Sequence, residues 1–160
     1  VMSIADIHQK IIENGNSLVV ITGGEPMRQE IAPLIHLLEQ DGHMVQIETN
    51  GILWSPGIED TDCYFVCSPK TSKIHPNMYI LKNTTNRVYT KLLVGENVYP
   101  TQPDLKGGDV IPFHAADFVI PLDTDNEEQN KRNYALAVKF VKLHSKTILQ
   151  VQLHKQLGVK

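Results

Sequence analysis

Two hydrophobic rhythms alternate along this chain. Ile4, Ile7 and Ile11 carry the three- and four-residue spacing of one helix face. Ser3 is placed to cap that helix, with Asp6 three residues on as in a capping box, and the helix is expected to end near Gly15. "SLVVIT" (17–22) is then a short continuous apolar run, the pattern of a strand buried on both faces. "IAPLIHLLEQDG" (31–42) returns to helical spacing, with Ile31, Leu34, Ile35 and Leu38 on one face. Pro33 is tolerated in its first turn and Gly42 is a C-terminal stop.

Further strands are predicted at "HMVQIET" (43–49), "DCYFVC" (62–67), "VYTKLLV" (88–94), "DFVIPL" (117–122) and "KTILQVQL" (146–153). "DTDNEEQNKRNYALAVKFVKLHS" (123–145) reads as a long helix. Asp125 is its expected cap, with Glu128 three on, and Tyr134, Ala137, Val138 and Val141 are expected on its buried side. Residues 71–87 and 95–116, rich in Pro, Gly, Asn and Thr, are expected to be loops.

Strands alternating with helices imply parallel β/α units in one α/β domain over residues 1–160. Right-handed crossovers place the loops after the strands along one rim, where ligands sit in open sheets and in barrels alike. The chemically suggestive motifs fall there: "TGGEP" after the first strand, "ETNG" after the second, "SPK" after the third, "IPLD" after the fifth and "QLHK" after the last. Polar groups from five strand ends are expected to converge on one pocket.

Composition narrows the function classes. Among 160 residues, 41% are apolar and 21% charged, ordinary values for a soluble globular protein. The formal net charge of −3, without a basic run, does not suggest a nucleic-acid surface. No apolar stretch approaches the ~18 residues of a membrane span, and no signal-peptide pattern opens the chain, so a cytoplasmic protein is expected. The chain begins with Val1 ahead of Met2 and enters a helix almost at once, which fits either a natural start or the stump of a longer protein.

In "TGGEP", Gly23 and Gly24 permit backbone angles closed to other residues and let a ligand lie against bare peptide. Glu25 can then accept hydrogen bonds from an ammonium group. The same residues also make a tight strand-to-helix turn with an exposed acid. The motif is neither a P-loop nor G-x-G-x-x-G. Cys63 and Cys67, four apart in a strand, lie about 13 Å from each other along one face. One metal with bonds of ~2.3 Å cannot bridge that gap, so both are read as small buried apolar residues. Two cysteines also give no disulfide framework. "SPK" offers the Ser68 hydroxyl for a ribose and the Lys70 cation for a carboxylate, or is a solvated loop. Asn50-Gly51 is a common turn pair. His154 follows the last strand, whereas His8, His36 and His144 sit on helices as surface or boundary residues.

Taken in order, "TGGEP", "ETNG", "SPK" and the final "LQVQLHKQLGV" resemble the radical S-adenosylmethionine (SAM) superfamily and, within it, the 7-carboxy-7-deazaguanine synthases of the queuosine pathway. The resemblance implies a partial (β/α) barrel of parallel strands. It also implies a carbon–nitrogen lyase that contracts 6-carboxy-5,6,7,8-tetrahydropterin to 7-carboxy-7-deazaguanine with loss of ammonia, using SAM, a 4Fe-4S cluster, magnesium and an external electron donor. By position, Gly23, Gly24 and Glu25 match the motif receiving the SAM amino group. Thr22 matches a substrate contact, and Ser68, Pro69 and Lys70 match a SAM-binding tripeptide. Ile120, Pro121, Leu122 and Asp123 match a segment that usually begins with glutamine and also touches SAM. His154 is the matched catalytic candidate, and Lys160, at the terminal carboxylate, the matched substrate contact.

The resemblance also exposes an absence. The superfamily's C-x3-C-x2-C loop, the magnesium-binding threonine beside it and the first strand have no counterpart here. The chain is therefore expected to be a fragment or split product, inactive alone, with an N-terminal partner fragment and a homodimer as the expected associations. A non-catalytic remnant binding SAM or a pterin, and an activating enzyme of the same superfamily, are the rival readings.

Overall fold

The computed structural model describes residues 2–70, 74–96, 116–152 and 157–158. Two compact units divide the chain, Val1–Tyr89 and Thr90–Lys160.

The first unit opens with helix α1 (Ile4–Asn14), and the Ser3–Asp6 capping box is present. Ser3 Oγ accepts from the Asp6 N–H at 3.1 Å, and the Asp6 carboxylate accepts from the Ser3 N–H at 3.2 Å. Gly15 closes the helix in the left-handed region, as its position implied. Ile7 and Ile11 pack on the core, while Ile4 remains 37% exposed. Strands β1 (Leu18–Ile21), β2 (Met44–Thr49) and β3 (Tyr64–Cys67) run parallel, with Ile21 beside Ile47 and Thr49 beside Cys67. Helix α2 (Ala32–Gln40) buries Leu34, Ile35 and Leu38 against Val45, Ile47 and Phe65 in one cluster. Each fully buried Leu or Ile in such a cluster contributes about 1.5–3 kcal/mol by leaving water.

The expectation of a loop over 71–87 is corrected by helix α3 (Pro76–Thr84). Pro76 occupies its first turn, and His75 Nδ1 accepts from the Asn77 N–H at 3.2 Å as the cap. Only Met78 of this helix is buried, so it shows no apolar stripe, and a proline that starts a helix looks like one that breaks it. Residues 71–73 lie outside the described residues.

Strand β4 (Val88–Val94) enters the second unit at Thr90, where its residues Lys91–Val94 pair with β5 (Phe118–Pro121), and β5 pairs with β6 (Ile148–Leu149), again parallel. Leu92, Val94, Ala116, Val119 and Ala137 form its core. The strand expected over 146–153 shrinks to two residues, although the Gln150 N–H still reaches the Val119 carbonyl at 2.8 Å. Most of the loop expected over 95–116 lies outside the described residues.

Helix α4 (Glu127–Leu143) corrects two expectations. Its cap is Asn126, not Asp125: Asn126 Oδ1 accepts from the Gln129 N–H at 2.9 Å. Its inner face is Asn133 and Ala137 with Leu136, Phe140 and Val141, whereas Tyr134 is 41% exposed. Of the expected face, Ala137 and Val141 are in the core and Val138 is half-buried, so only Tyr134 is displaced, and the inward place next to it belongs to the polar Asn133. Asn133 donates to the Leu122 carbonyl at 2.8 Å and accepts from the Glu96 N–H at 2.9 Å, so it ties the ends of β4 and β5 together. Among the described residues, no helix is long and apolar enough to cross a membrane.

Candidate functional site

Because β1, β2 and β3 are parallel and in register, their C-terminal ends share one edge of the first unit's sheet. That edge carries Thr22–Glu25, Thr49–Gly51 and Ser68–Lys70. Thr22, Gly23 and Gly24 are exposed. Gly23 has φ 96° and Gly24 φ 58°, both in the left-handed region, and a Cβ built on either meets nothing within 4 Å. Among the described residues, conformation rather than crowding therefore asks for glycine at both positions, and the space a side chain would enter there is open.

Glu25 turns inward and is 8% exposed, which rules out the exposed-acid version of this turn. Its Oε1 accepts from the Met27 N–H at 3.1 Å and from the Thr49 hydroxyl at 2.7 Å. Its Oε2 accepts from the Asn50 N–H at 2.8 Å. The first of these bonds caps the short 3-10 helix Pro26–Arg28, and the other two join the loop after β1 to the end of β2. An ionised carboxylate has about four acceptor positions. Three are filled from within the chain, and every one of those bonds is donated by its partner.

The end of β2 is fixed with equal care. Asn50 Oδ1 accepts from the Ile52 N–H at 2.9 Å. Gly51 has φ 72°, and a Cβ there would stand 2.5 Å from Cys67 Sγ and 3.2 Å from an Ile74 methyl. The Ser68 N–H donates to the Thr49 carbonyl at 2.7 Å, which continues the β2–β3 register onto the rim. Ser68 and Pro69 are half-buried there and Lys70 is exposed.

Cys63 and Cys67 are both buried free thiols, as expected. Burial pushes Cys63 up to about 11, and burial together with the Glu25 charge pushes Cys67 up to about 12. Thiols so protonated are poor metal ligands. Among the described residues, no three His, Cys, Asp or Glu side chains group in a way that could hold a metal.

In the second unit, the Leu122 N–H donates to the Val94 carbonyl at 2.7 Å, and Asp123 Oδ1 accepts from Asn130 Nδ2 at 2.8 Å. Pro121, Leu122 and Asp123 line a cavity of about 130 Å³ with Asn130, Tyr134, Val151 and Gln152. Ile120 is half-buried but does not line it. His154 and Lys160 lie outside the described residues.

Thr49 was not singled out from the sequence, although "ETNG" contains it. The available signal was parity: it shares the alternation of Val45 and Ile47, so its hydroxyl had to be buried and had to find partners.

Comparison with known proteins gives a consistent result. No protein-family model matches the chain. A 7-carboxy-7-deazaguanine synthase of Rickettsia prowazekii is 36% identical over 147 residues, which is 90% of this chain and 60% of that protein. A 7-carboxy-7-deazaguanine synthase of Synechocystis sp. is 25% identical over 159 residues, covering 99% of this chain and 70% of that protein. The crystal structure of QueE from Escherichia coli superposes with a TM-score of 0.61 at 22% identity, over 94% of this chain and 64% of that one, a likeness of fold. The chain thus spans about three-fifths of the length of the first of these relatives. Along nine-tenths of its own length, the chain is similar to a 7-carboxy-7-deazaguanine synthase.

Proposed function

We propose that this chain carries the SAM-binding rim of a 7-carboxy-7-deazaguanine synthase, an enzyme making 7-carboxy-7-deazaguanine from 6-carboxy-5,6,7,8-tetrahydropterin with loss of ammonia. The observation that carries the reading is Glu25: a buried carboxylate next to the left-handed Gly23 and Gly24, held by three donors, with one acceptor position left over among the described residues. A ligand ammonium group beside Gly23 and Gly24 fills that position, and water there gives way to a charge-assisted bond. Ser68 meets the ribose, Pro69 stiffens the approach, and Lys70 faces the ligand carboxylate. In the second unit, Ile120–Asp123 is the further SAM segment, although an isoleucine at 120 cannot make the polar contact of a glutamine. Thr22 contacts the pterin substrate, and His154 and Lys160 are assigned to the same substrate.

Bound SAM supplies the hydrogen-abstracting radical chemistry of the superfamily when an iron–sulfur cluster and an electron donor serve it. This chain's own residues bind and orient SAM. They do not fit the cluster: the sequence has two cysteines, both thiols are buried, and a superfamily cluster takes three thiolates. The expected behaviour is SAM binding without a cluster. Anaerobic reconstitution with iron and sulfide should give no four-iron absorbance, while ligand-observed NMR should detect SAM on the chain. A cluster spectrum from the isolated chain, or no detectable SAM binding, would overturn the proposal.

A further inference from the structure

We infer that Thr49 is a positioning residue that selects which oxygen of Glu25 meets the ammonium group of SAM, an inference resting on the reading above that Glu25 receives that group. Thr49 is the last residue of β2 and is 3% exposed. Its hydroxyl accepts from the Gly51 N–H at 3.0 Å, so its single proton points elsewhere, to Glu25 Oε1 at 2.7 Å. With the Met27 N–H at 3.1 Å on the same atom, both acceptor positions of Oε1 are filled. Oε2 takes only the Asn50 N–H, at 2.8 Å. Among the described residues, the acceptor position of the carboxylate left without a donor is therefore on Oε2.

Two of the three donors are main-chain groups that no side-chain change removes. The Thr49 hydroxyl is the third. Without it, Oε1 regains an open position and the carboxylate torsion, which is broad and roughly two-fold, is no longer pinned. A ligand cation then meets either oxygen and loses a fixed partner. The γ-methyl of Thr49, by contrast, serves only packing, so the hydroxyl and the methyl have separable effects.

The test is a ligand-observed NMR titration of the 160-residue chain and its variants with two probes. SAM carries the amino-acid tail; 5′-methylthioadenosine keeps the nucleoside and lacks that tail. Thr49→Val and Thr49→Ala should each weaken SAM about tenfold, the scale of one oriented bond to a charged group. Both should leave 5′-methylthioadenosine unchanged, and Thr49→Ser should restore SAM. The alanine variant removes the hydroxyl without placing a methyl against Glu25, which guards against a purely steric result. Equal weakening of both probes, no weakening of either, or failure of the serine variant to rescue overturns the inference. Glu25→Gln separates the two levels. Should it fail to weaken SAM selectively, the reading of Glu25 falls. Should it succeed while the Thr49 variants do not, only the role of Thr49 falls.

Discussion

Replacing Gly51 by alanine is the sharpest available test of how the rim is built. The substitution meets two separate penalties. At φ 72°, an L side chain sits in the left-handed region, at about 1–2 kcal/mol. The new Cβ would also stand 2.5 Å from Cys67 Sγ, with an Ile74 methyl at 3.2 Å and the Met78 side chain at 3.9 Å behind it. Cys67 is a buried strand residue that cannot swing aside, so the overlap adds roughly 1–3 kcal/mol. Gly23→Ala is the natural control, because φ 96° imposes the conformational penalty while nothing lies within 4 Å. Trp54 is the only tryptophan of the chain, and it packs against the first unit's core, so its fluorescence reports unfolding of that unit. With urea slopes of about 1–3 kcal/mol per M, Gly51→Ala should lower the midpoint by about 1 M or more and clearly beyond Gly23→Ala. Adding Cys67→Ala to Gly51→Ala should recover the overlap share, read as a coupling energy in a double-mutant cycle. Coincident midpoints for Gly51→Ala and Gly23→Ala, or zero coupling to position 67, would refute the reasoning.

The remaining predictions are smaller. Both thiols rise from an ordinary 9.0, Cys63 to about 11 and Cys67 to about 12, so each folded value lies above the unfolded one. Their contribution to stability is whole below pH 9.0 and is lost as pH climbs through 11 and 12. The Trp54 urea midpoint should therefore fall over that window, and less steeply in a Cys63→Ala/Cys67→Ala chain. Asn126→Ala should destabilise α4 by about 1 kcal/mol, seen as faster amide exchange at Gln129, whereas Asp125→Ala should leave that exchange unchanged.

Much of this fold could be read from the chain because its signals are local. The Ser3–Asp6 capping box, the Ile31–Leu38 face and the Gly42 stop each need only a few neighbouring residues, and each is present. What escaped reading depends on contacts between distant segments. Helix α3 has one buried residue, and its cap is a histidine followed by proline, so neither periodicity nor cap chemistry marks it. The inner face of α4 turns on Asn133, whose burial makes sense only once the Leu122 carbonyl and Glu96 N–H are seen to need a partner. At the rim, the two glycines of "TGGEP" were legible as glycines that open backbone. That Glu25 is buried was not, because its donors come from residues 24 and 25 positions further on.

That last separation carries the functional argument. A carboxylate on a lone loop would be free to rotate and would keep its own water. Here, parallel pairing of β1 with β2 brings the Thr49 hydroxyl and the Asn50 N–H against Glu25 before any ligand arrives. The pairing of β2 with β3 in turn seats Gly51 on Cys67 and draws the Ser68 N–H to the Thr49 carbonyl. "TGGEP", "ETNG" and "SPK" are therefore three parts of one hydrogen-bonded edge. Such preorganisation lowers the ordering cost of binding. It is also why residues that touch no ligand, Thr49 and Gly51, are expected to govern how well a cation is held at Glu25.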